Sequence, residues 1–347
     1  MLPEPIYLDH AATTPLLPEA RDAWLESAAR WANPSSPHGL GRAARAALEG
    51  ARERLKAALG WQGEVIFTSG ASEALAIAMK RSVLPLGAAS AVEHDAVLRL
   101  AGEAARLPVH SNGLVDPASA ALPGLVAVQH VNNETGVIQS LDAIFDAVRG
   151  SAGRLLADCA QSAGKLPLPD ADMIAISAHK FGGPIGSGAL LVRDWAMLRP
   201  CGGQERGYRA GTENLPGAVA MVAALEADAH WIEHAAKLRF ALEQGIVAAG
   251  GTIIGTSAPR LATIGAYHMP DRSSAVQLIR FDAQGIAVSA GSACSSGSLK
   301  ASHVLTAMGV EGASEVVRVS IGRETTMAQI ERFLAAWTTM AQGRAAA

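Results

Sequence analysis

The chain has 347 residues, of which 49% are hydrophobic and 18% are charged, and its formal net charge is −3 at pH 7. This length is enough for about two domains with a sizeable core. Because the charges form no basic or acidic run and aromatic residues make up only 4% of the chain, nucleic acid is not an expected partner.

The cysteines and the N-terminal segment indicate neither a metal site nor export. Cys159, Cys201 and Cys294 show no CxxC or Cys/His ligand spacing. We therefore expect no zinc site, no disulfide framework and a reducing compartment. The first residues lack a basic n-region and an apolar h-region, and no run of about 18 apolar residues occurs. These features predict a cytoplasmic protein without a membrane span.

The first two thirds of the chain alternate between strand and helix patterns. A brief strand at 6–9 precedes a helix that ends near Trp31, and a second helix covers about 40–59. The predicted strands that follow are 64–68, 88–93, 125–130, 155–158, 173–177 and 188–192. Helical or turn segments separate these strands. This alternation predicts an α/β fold with a large α/β/α domain built on a mainly parallel sheet.

The order of elements changes near His230. A long helix at 231–249 is followed by predicted strands at 252–254 and 261–267, which indicates a smaller α+β domain. We therefore expect a large domain at 14–230 and a small domain formed by 1–13 and 231–347, the latter carrying Cys294.

Two buried strands are followed by an acid and an amine. The runs at 155–157 and 173–177 lead to Asp158 and Lys180, and the carboxyl ends of parallel strands open onto the ligand crevice. Lysine can condense with an aldehyde while aspartate keeps a ring nitrogen protonated, which is the chemistry of pyridoxal phosphate. For this pair taken alone, solvated loop charges are the commoner explanation.

A turn of small residues follows the strand at 64–68. It reads FTSGASE at 67–73, and a helix is expected to begin near Ala71. Free N–H groups and the positive dipole end at such a helix terminus bind phosphate, and Ser72 adds a hydroxyl. An ordinary turn with Ser69 or Ser72 as N-cap is the alternative.

Further polar side chains follow other strands and are expected at the same crevice. His94 could stack on a ring and move protons near neutral pH, although a lone histidine is more often structural. Asn133, in the turn 132–136, and Gln161 offer amides that suit a ring oxygen or a carboxylate. Turn formation alone would also favour Asn and Gly.

Two more segments bear groups that can bind or react. The loop at 201–212 combines glycines, two arginines and a terminal threonine, a set that can reach an anion. Cys294 lies in SAGSACSSGS, whose small residues cannot enclose a thiol, so we expect it to be exposed, whereas Cys159 is expected in the core. Arg318 interrupts the strand pattern at 316–320 and could bind a carboxylate, with a surface strand face as the alternative.

From about residue 6 to residue 326, through ten short motifs that occur in the same order, the chain resembles the cysteine desulfurases of the NifS/IscS type. These are fold-type I pyridoxal-phosphate enzymes of the class V aminotransferase group. The motifs are LDHAATTP, NPSSPHGLG, FTSGASEA, VEHDAV, HVNNETGVIQ, DCAQSAGK, SAHKFGGP, GGQERGYRAGT, SAGSACSSGS and VRVSIGRETT. The departures from the family pattern, at Ala74-Leu75, Ile185 and Cys201, touch none of the candidate catalytic residues.

The resemblance implies a role for each candidate residue. Lys180 would form the Schiff base with pyridoxal 5'-phosphate, Asp158 would partner its ring nitrogen, and His94 would stack on the ring and move protons. The phosphate would be held by Ala71, Ser72, Ser177, His179 and, from the second subunit of a homodimer, Thr212. The ring oxygen would contact Gln161 and Asn133. The substrate carboxylate would be fixed by Asn33, Asn133 and Arg318.

The implied reaction converts L-cysteine to L-alanine and leaves the sulfur on Cys294 as a persulfide. A sulfur-acceptor protein would then receive it, for the assembly of iron–sulfur clusters or another sulfur-containing cofactor, and no metal is required. Two alternatives stay open at this point. One is a selenocysteine lyase or another aminotransferase of the same fold, and the other is a cofactor-bound partner protein that does not turn over.

Overall fold

The structure is a computed structural model that describes residues 4–228, 230–291 and 302–343. The strands in these ranges are β1 (Ile6–Tyr7), β2 (Glu64–Thr68), β3 (Leu86–Ser90), β4 (Ala105–Leu107), β5 (Gly124–Gln129), β6 (Gly153–Asp158), β7 (Met173–Ser177), β8 (Gly188–Val192), β9 (Thr252–Ile253), β10 (Ile264–His268), β11 (Ile286–Ala287) and β12 (Val316–Ser320). The α-helices are α1 (Pro18–Ala29), α2 (Gly39–Leu59), α3 (Ala71–Arg81), α4 (Asp95–Leu98), α5 (Leu141–Gly150), α6 (Leu215–Glu226), α7 (Trp231–Ala248), α8 (Ser274–Asp282), α9 (His303–Ala307) and α10 (Met327–Gln342).

The part of the chain that the structure describes forms a central sheet of seven strands in the order β2-β8-β7-β6-β5-β3-β4. The pairs from β7 to β4 are parallel, whereas β8 is antiparallel to both of its neighbours. Only β8 therefore runs in the opposite direction, and the expectation of a mainly parallel sheet is confirmed. As a result, β2, β3, β5, β6 and β7 all end at the same edge of the sheet.

Helices cover both faces of this sheet. Alternate residues of β6 point to opposite sides, so Leu155 and Ala157 belong to one core cluster and Leu156 to another. The first cluster includes residues of α2, α5 and α6, and the second includes residues of α3 and α4. Strands buried on both faces carry near-continuous apolar runs, which is why these segments could be recognised as strands.

A second core lies around the antiparallel sheet β12-β10-β9. Residues of α7, α8 and α10 fill it, and the rings of Phe281 and Phe333 stack with their centroids 4.9 Å apart. Ile6 and Leu8 from the N-terminal segment join this core, and β1 pairs with β11. The domain boundaries at 13/14 and 230/231 stay a prediction.

The expected strand at 88–93 was wrong at both of its ends. The observed strand, β3, ends at Ser90 because Oε1 of the buried Glu93 side chain accepts hydrogen bonds from Ser90 Oγ (2.7 Å) and from the backbone N–H of Gln129 (2.8 Å). The chain turns there and enters α4. The expected strand at 261–267 likewise begins only at Ile264, because Leu261 N–H donates to Gly136 O, in the turn that follows β5.

Two kinds of feature are not found among the described residues. None of their helices is long and apolar enough to cross a bilayer. No group of three or more His, Cys, Asp or Glu residues is arranged to hold a metal ion.

Candidate active site

A cavity of about 360 Å³ opens at the edge where the parallel strands end. Ten of the residues predicted for the site line it among the described residues: Ala71, Ser72, His94, Asn133, Asp158, Gln161, Ser177, His179, Lys180 and Arg318. They come from α3, from the ends of β6 and β7, from the segments that follow β3, β5, β6 and β7, and from β12. The crevice expected from the strand ends is therefore present.

Two of the other predicted residues, Asn33 and Thr212, do not line the cavity, and a third is not described. Asn33 is exposed, and its side-chain oxygen accepts a hydrogen bond from the N–H of Ser35 (2.8 Å). Thr212 is also exposed. Their loops adjoin each other, since Ser35 Oγ donates to the side-chain oxygen of Gln204 (2.9 Å). Cys294 lies outside the described residues.

The turn between β2 and α3 leaves helix N–H donors at the cavity wall. Gly70 is the N-cap of α3, and no described side chain caps this helix, so the expected alternative of Ser69 or Ser72 as N-cap is wrong. Gly70 has φ 152°, a conformation that favours glycine. A Cβ on Gly188 would lie only 2.6 Å from Gly70 Cα, so the backbone of β8 and the backbone of this turn approach closely. Such a terminus is suited to an oxyanion.

Asp158, at the end of β6, places a buried carboxyl in the cavity. Its Oδ1 accepts a hydrogen bond from Ala160 N–H (2.9 Å). Burial raises the pKa of Asp158 above its ordinary value, although this hydrogen bond and the charges of His94 and Lys180 act in the opposite direction. A cationic ring nitrogen in the cavity would offset the desolvation of this carboxylate.

His94 is the N-cap of α4, and this role fixes its tautomer. Its Nδ1 accepts a hydrogen bond from Ala96 N–H (3.1 Å), so the neutral ring carries its proton on Nε2. Burial lowers the pKa of His94, with Lys180 adding to the effect and Asp158 opposing it. Nε2 is therefore the ring nitrogen that His94 offers to a ligand in the cavity.

Lys180 lies three residues beyond the end of β7, in the single 3₁₀ turn Ala178–Lys180. Its Nζ donates to Ala11 O (2.7 Å) and Ala12 O (2.9 Å). The neighbouring His179 Nδ1 lies 3.1 Å from Thr13 Oγ1, and burial lowers the pKa of His179 to about 4. The N-terminal segment thus holds the lysine amine at the cavity wall.

Gln161 brings an unsatisfied acceptor to the same place. Its side-chain nitrogen donates to Ala11 O (2.8 Å), while its buried Oε1 has no partner among the described residues. A buried acceptor without a donor costs free energy. A ligand hydroxyl would satisfy it.

Arg318 is 5% exposed, so the alternative that placed it on a surface strand face is wrong. Its Nη2 donates to Asp9 Oδ1 (2.6 Å) and its Nη1 to Asn133 O (3.0 Å). Its buried Nε finds no partner in the described part of the chain. The guanidinium is therefore fixed at the cavity wall with a donor unused.

Some residues at the site escaped the sequence analysis. Ala11 and Ala12 act through backbone carbonyls, which leave no side-chain signal. Asp9 and Glu73 belong to two of the recognised motifs but were given no role. Cys159 is buried, and its burial raises the pKa of the thiol, which confirms its expected place in the core.

Comparisons with known proteins agree with this arrangement. Residues 6–333 match the aminotransferase class-V family. A cysteine desulfurase of Cereibacter sphaeroides is 37% identical over 95% of this chain and 94% of its own length. A cysteine desulfurase IscS of Dictyoglomus turgidum is 36% identical over 92% of this chain and 90% of its own.

Solved structures give the same result. A NifS-like protein from Rickettsia africae superposes with a TM-score of 0.86 at 29% identity, over 96% of this chain and 98% of that one. A structure described as SspA in complex with cysteine has a TM-score of 0.78 at 28% identity, over 92% of this chain and 100% of that one.

Proposed function

The chain belongs to the class-V aminotransferases and, among them, to the cysteine desulfurases, which are pyridoxal-phosphate enzymes, and from this premise we propose that its cavity converts L-cysteine to L-alanine. The observation that carries the proposal is the meeting of a buried carboxyl, Asp158, and an amine, Lys180, beside the uncapped start of α3. The relatives do not favour a selenocysteine lyase, another aminotransferase or an inert cofactor-binding partner.

The residues present fit pyridoxal phosphate. The free N–H groups of α3, with Ser72, Ser177 and His179, would hold its phosphate. Asp158 would partner its ring nitrogen, and the unsatisfied oxygen of Gln161 would accept from its ring hydroxyl. When bound, the cofactor supplies an aldehyde that takes up amines and a protonated ring that accepts electrons.

Two side chains would move protons in the reaction. Lys180 would hold the aldehyde covalently, and its amine, once released by the substrate, would take the proton from the substrate Cα. The carbonyls of Ala11 and Ala12 keep that amine beside His94 in the cavity. His94, with its proton on Nε2, would exchange a proton with the substrate sulfur.

The substrate carboxylate would bind Arg318. Asp9 and the backbone of Asn133 orient its guanidinium, which leaves Nε as a further donor, and the Asn133 amide would complete the contact. Asn33 would join them from its exposed loop.

Cys294 would take up the sulfur of the substrate as a persulfide. The segments on either side of it are attached beside the cavity. Ser289 and Arg318 exchange backbone hydrogen bonds (2.7 and 3.2 Å), and Ser302 Oγ donates to Glu134 Oε2 (2.5 Å), next to Asn133. These attachments support a reaction between Cys294 and a substrate held at Arg318.

A second copy of the chain would complete the site. A groove of about 790 Å³ between α1, α2 and α6 exposes large apolar side chains, with Trp31 83% and Leu40 69% exposed. Such a patch is typical of a protein interface. It lies next to the loop of Asn33, which adjoins the loop of Thr212. We therefore assign it to a homodimer in which Thr212 reaches the partner's phosphate site.

A persulfide has to be passed on, so we propose a sulfur-acceptor protein as the other partner. It would receive the sulfur in the cytoplasm for the assembly of iron–sulfur clusters or another sulfur-containing cofactor.

The test of the whole proposal is an assay of alanine formed from L-cysteine by wild type and Cys294→Ala. Wild type should form alanine and carry a persulfide on Cys294 that mass spectrometry detects. Equal rates for both proteins without added thiol would refute the role of Cys294, and no alanine from wild type would refute the activity.

A further inference from the structure

Glu73 places a negative charge at the end of the cavity that is suited to phosphate. It is the third residue of α3 and lines the cavity. Its Oε2 accepts a hydrogen bond from Ser69 N–H (2.5 Å), so the carboxylate folds back over the turn that leads into the helix. A phosphate at this helix terminus would lie close to a like charge, which opposes its binding.

Arg209 contacts both carboxylate oxygens of Glu73. Its Nε lies 3.2 Å from Oε1 and 3.3 Å from Oε2 of Glu73. Burial raises the pKa of Glu73, but the hydrogen bonds from Ser69 and the charge of Arg209 outweigh burial, and the pKa is lowered overall. Glu73 is therefore ionised near neutral pH, and Arg209 balances its charge.

The loop that carries Arg209 has a separate anchor. Glu205 of this loop forms a buried ion pair with Arg52 (2.8 Å) and accepts from Phe67 N–H (2.8 Å). The loop therefore stays attached to β2 when the contact between Arg209 and Glu73 is removed. A change at Arg209 then acts mainly on charge at the cavity.

We propose that Arg209 is a positioning residue that sets the affinity of the cavity for a phosphate monoester by neutralising Glu73. This inference rests on the proposed function, because it concerns the phosphate end of the pyridoxal-phosphate site. Glu73 orders the turn through Ser69, and Arg209 cancels the repulsion that this arrangement would otherwise impose on the phosphate.

A purely structural role for Arg209 makes a different prediction. Arg209 Nη1 also lies near Gly211 O (3.4 Å) and Thr212 O (3.5 Å), so it could serve only as a tether between this loop and α3. Removal of either partner would then weaken cofactor binding. Under charge balance, the two removals act in opposite directions.

The test is titration of the full-length, cofactor-stripped protein with pyridoxal phosphate, followed by absorbance, for wild type, Arg209→Gln, Glu73→Gln and the double variant. Arg209→Gln should raise the Kd roughly ten- to hundredfold. Glu73→Gln keeps an acceptor for Ser69 and should lower the Kd or leave it unchanged. The double variant should return to within about threefold of wild type, and Arg209→Lys, which keeps the charge, should stay near wild type.

Two controls separate charge from structure. Pyridoxal, which lacks the phosphate, should bind wild type and Arg209→Gln equally. The side chains of Arg209 and Glu73 are partly exposed, 16% and 28%, so the difference in Kd should shrink at about 1 M salt.

Each failure has its own signature. Weaker binding by Glu73→Gln, or a double variant no better than Arg209→Gln, would overturn charge balance in favour of a tether. Equal Kd values for all variants would overturn any role for the pair while leaving the proposed function intact. A wild-type protein that does not bind pyridoxal phosphate would overturn the proposed function itself.

Discussion

The ends of β5, β6 and β7 and the loops around 33–37 and 201–212 carry candidate residues for one site, yet they differ in where those residues lie. Asp158 and Lys180 line the cavity within a single chain, whereas Asn33 and Thr212 lie exposed outside it. Residues at strand ends are positioned by the register of the sheet. Residues on exposed loops depend on what covers the loop, so in the proposed homodimer the strand-end part of the site is assembled by folding, and Asn33 and Thr212 would join it by association.

The largest effect is expected at the strand-end region, from Lys180→Ala. Loss of the amine removes both the covalent attachment of the cofactor and the base for the Cα proton, so kcat should fall by at least about 10⁴-fold. Alanine formation measures it. Lys237→Ala, at an exposed lysine on α7, is the matched control and should keep full activity. Substantial activity in Lys180→Ala would contradict the assignment.

Asp158→Asn tests whether one residue of the strand-end region is needed for activity while it lowers the stability of the cofactor-free protein. An asparagine cannot keep the ring nitrogen protonated, and kcat should fall by about 10²- to 10³-fold. In the cofactor-free protein, burial raises the pKa of Asp158, so the ionised carboxylate is unfavourable at neutral pH. Removing that charge should increase the free energy of unfolding by about 1 kcal/mol.

Denaturant unfolding of the cofactor-free proteins at pH 7.5 checks the second half of this prediction. A less stable Asp158→Asn protein would show that the carboxylate is compensated within the chain, without a ligand cation.

Trp31→Glu addresses the loop region. If a second copy covers the groove, a charge at this exposed ring should produce monomers and lower cofactor retention by about tenfold, because Thr212 no longer reaches the partner's site. Light scattering and absorbance after gel filtration measure the two effects. Phe240→Glu, at a ring of α7 that is 68% exposed, should change neither. A Trp31→Glu protein that stays dimeric but holds its cofactor loosely would show that the groove is not the dimer interface.

The last prediction concerns stability rather than activity: a pH dependence of unfolding that belongs to the strand-end region alone. Burial raises the pKa of Glu93 to about 8, so the folded protein binds a proton that the unfolded chain releases near its ordinary carboxyl pKa. Stability from this group is full at low pH and falls as pH rises towards 8, by up to about 1 kcal/mol per pH unit.

Glu93→Gln should therefore flatten the decline in the free energy of unfolding between about pH 5 and pH 8, as thermal or denaturant unfolding would show. Glu53, on α2, is 70% exposed in its side chain, and Glu53→Gln should leave the decline unchanged. An unaltered slope in Glu93→Gln would mean that Glu93 is ionised in the folded protein.

Much of the fold could be predicted because buried parallel strands are short apolar runs between turn residues. The strands Met173–Ser177 and Gly188–Val192 have the predicted limits. The reversed direction of Gly188–Val192 could not be predicted, since such a run carries no information on direction. The end of β3 was missed because the hydrogen bond from the Gln129 N–H to Glu93 joins parts of the chain that are 36 residues apart.

The candidate site likewise contains residues that could be predicted from the sequence and residues that could not. Asp158, His94 and Lys180 were found because each follows an apolar run. The carbonyls of Ala11 and Ala12 that hold the lysine have no side-chain signal, and the partner of Arg318, Asp9, is 309 residues away along the chain. Resemblance supplied the roles of Asn33, Thr212 and Cys294, which stay predictions.

The most direct test of the central claim is borohydride reduction of the protein with bound pyridoxal phosphate, followed by peptide mass spectrometry. The account predicts one pyridoxyl group, attached to Lys180. A pyridoxyl group on another lysine, such as Lys165, or no pyridoxyl group at all would contradict it.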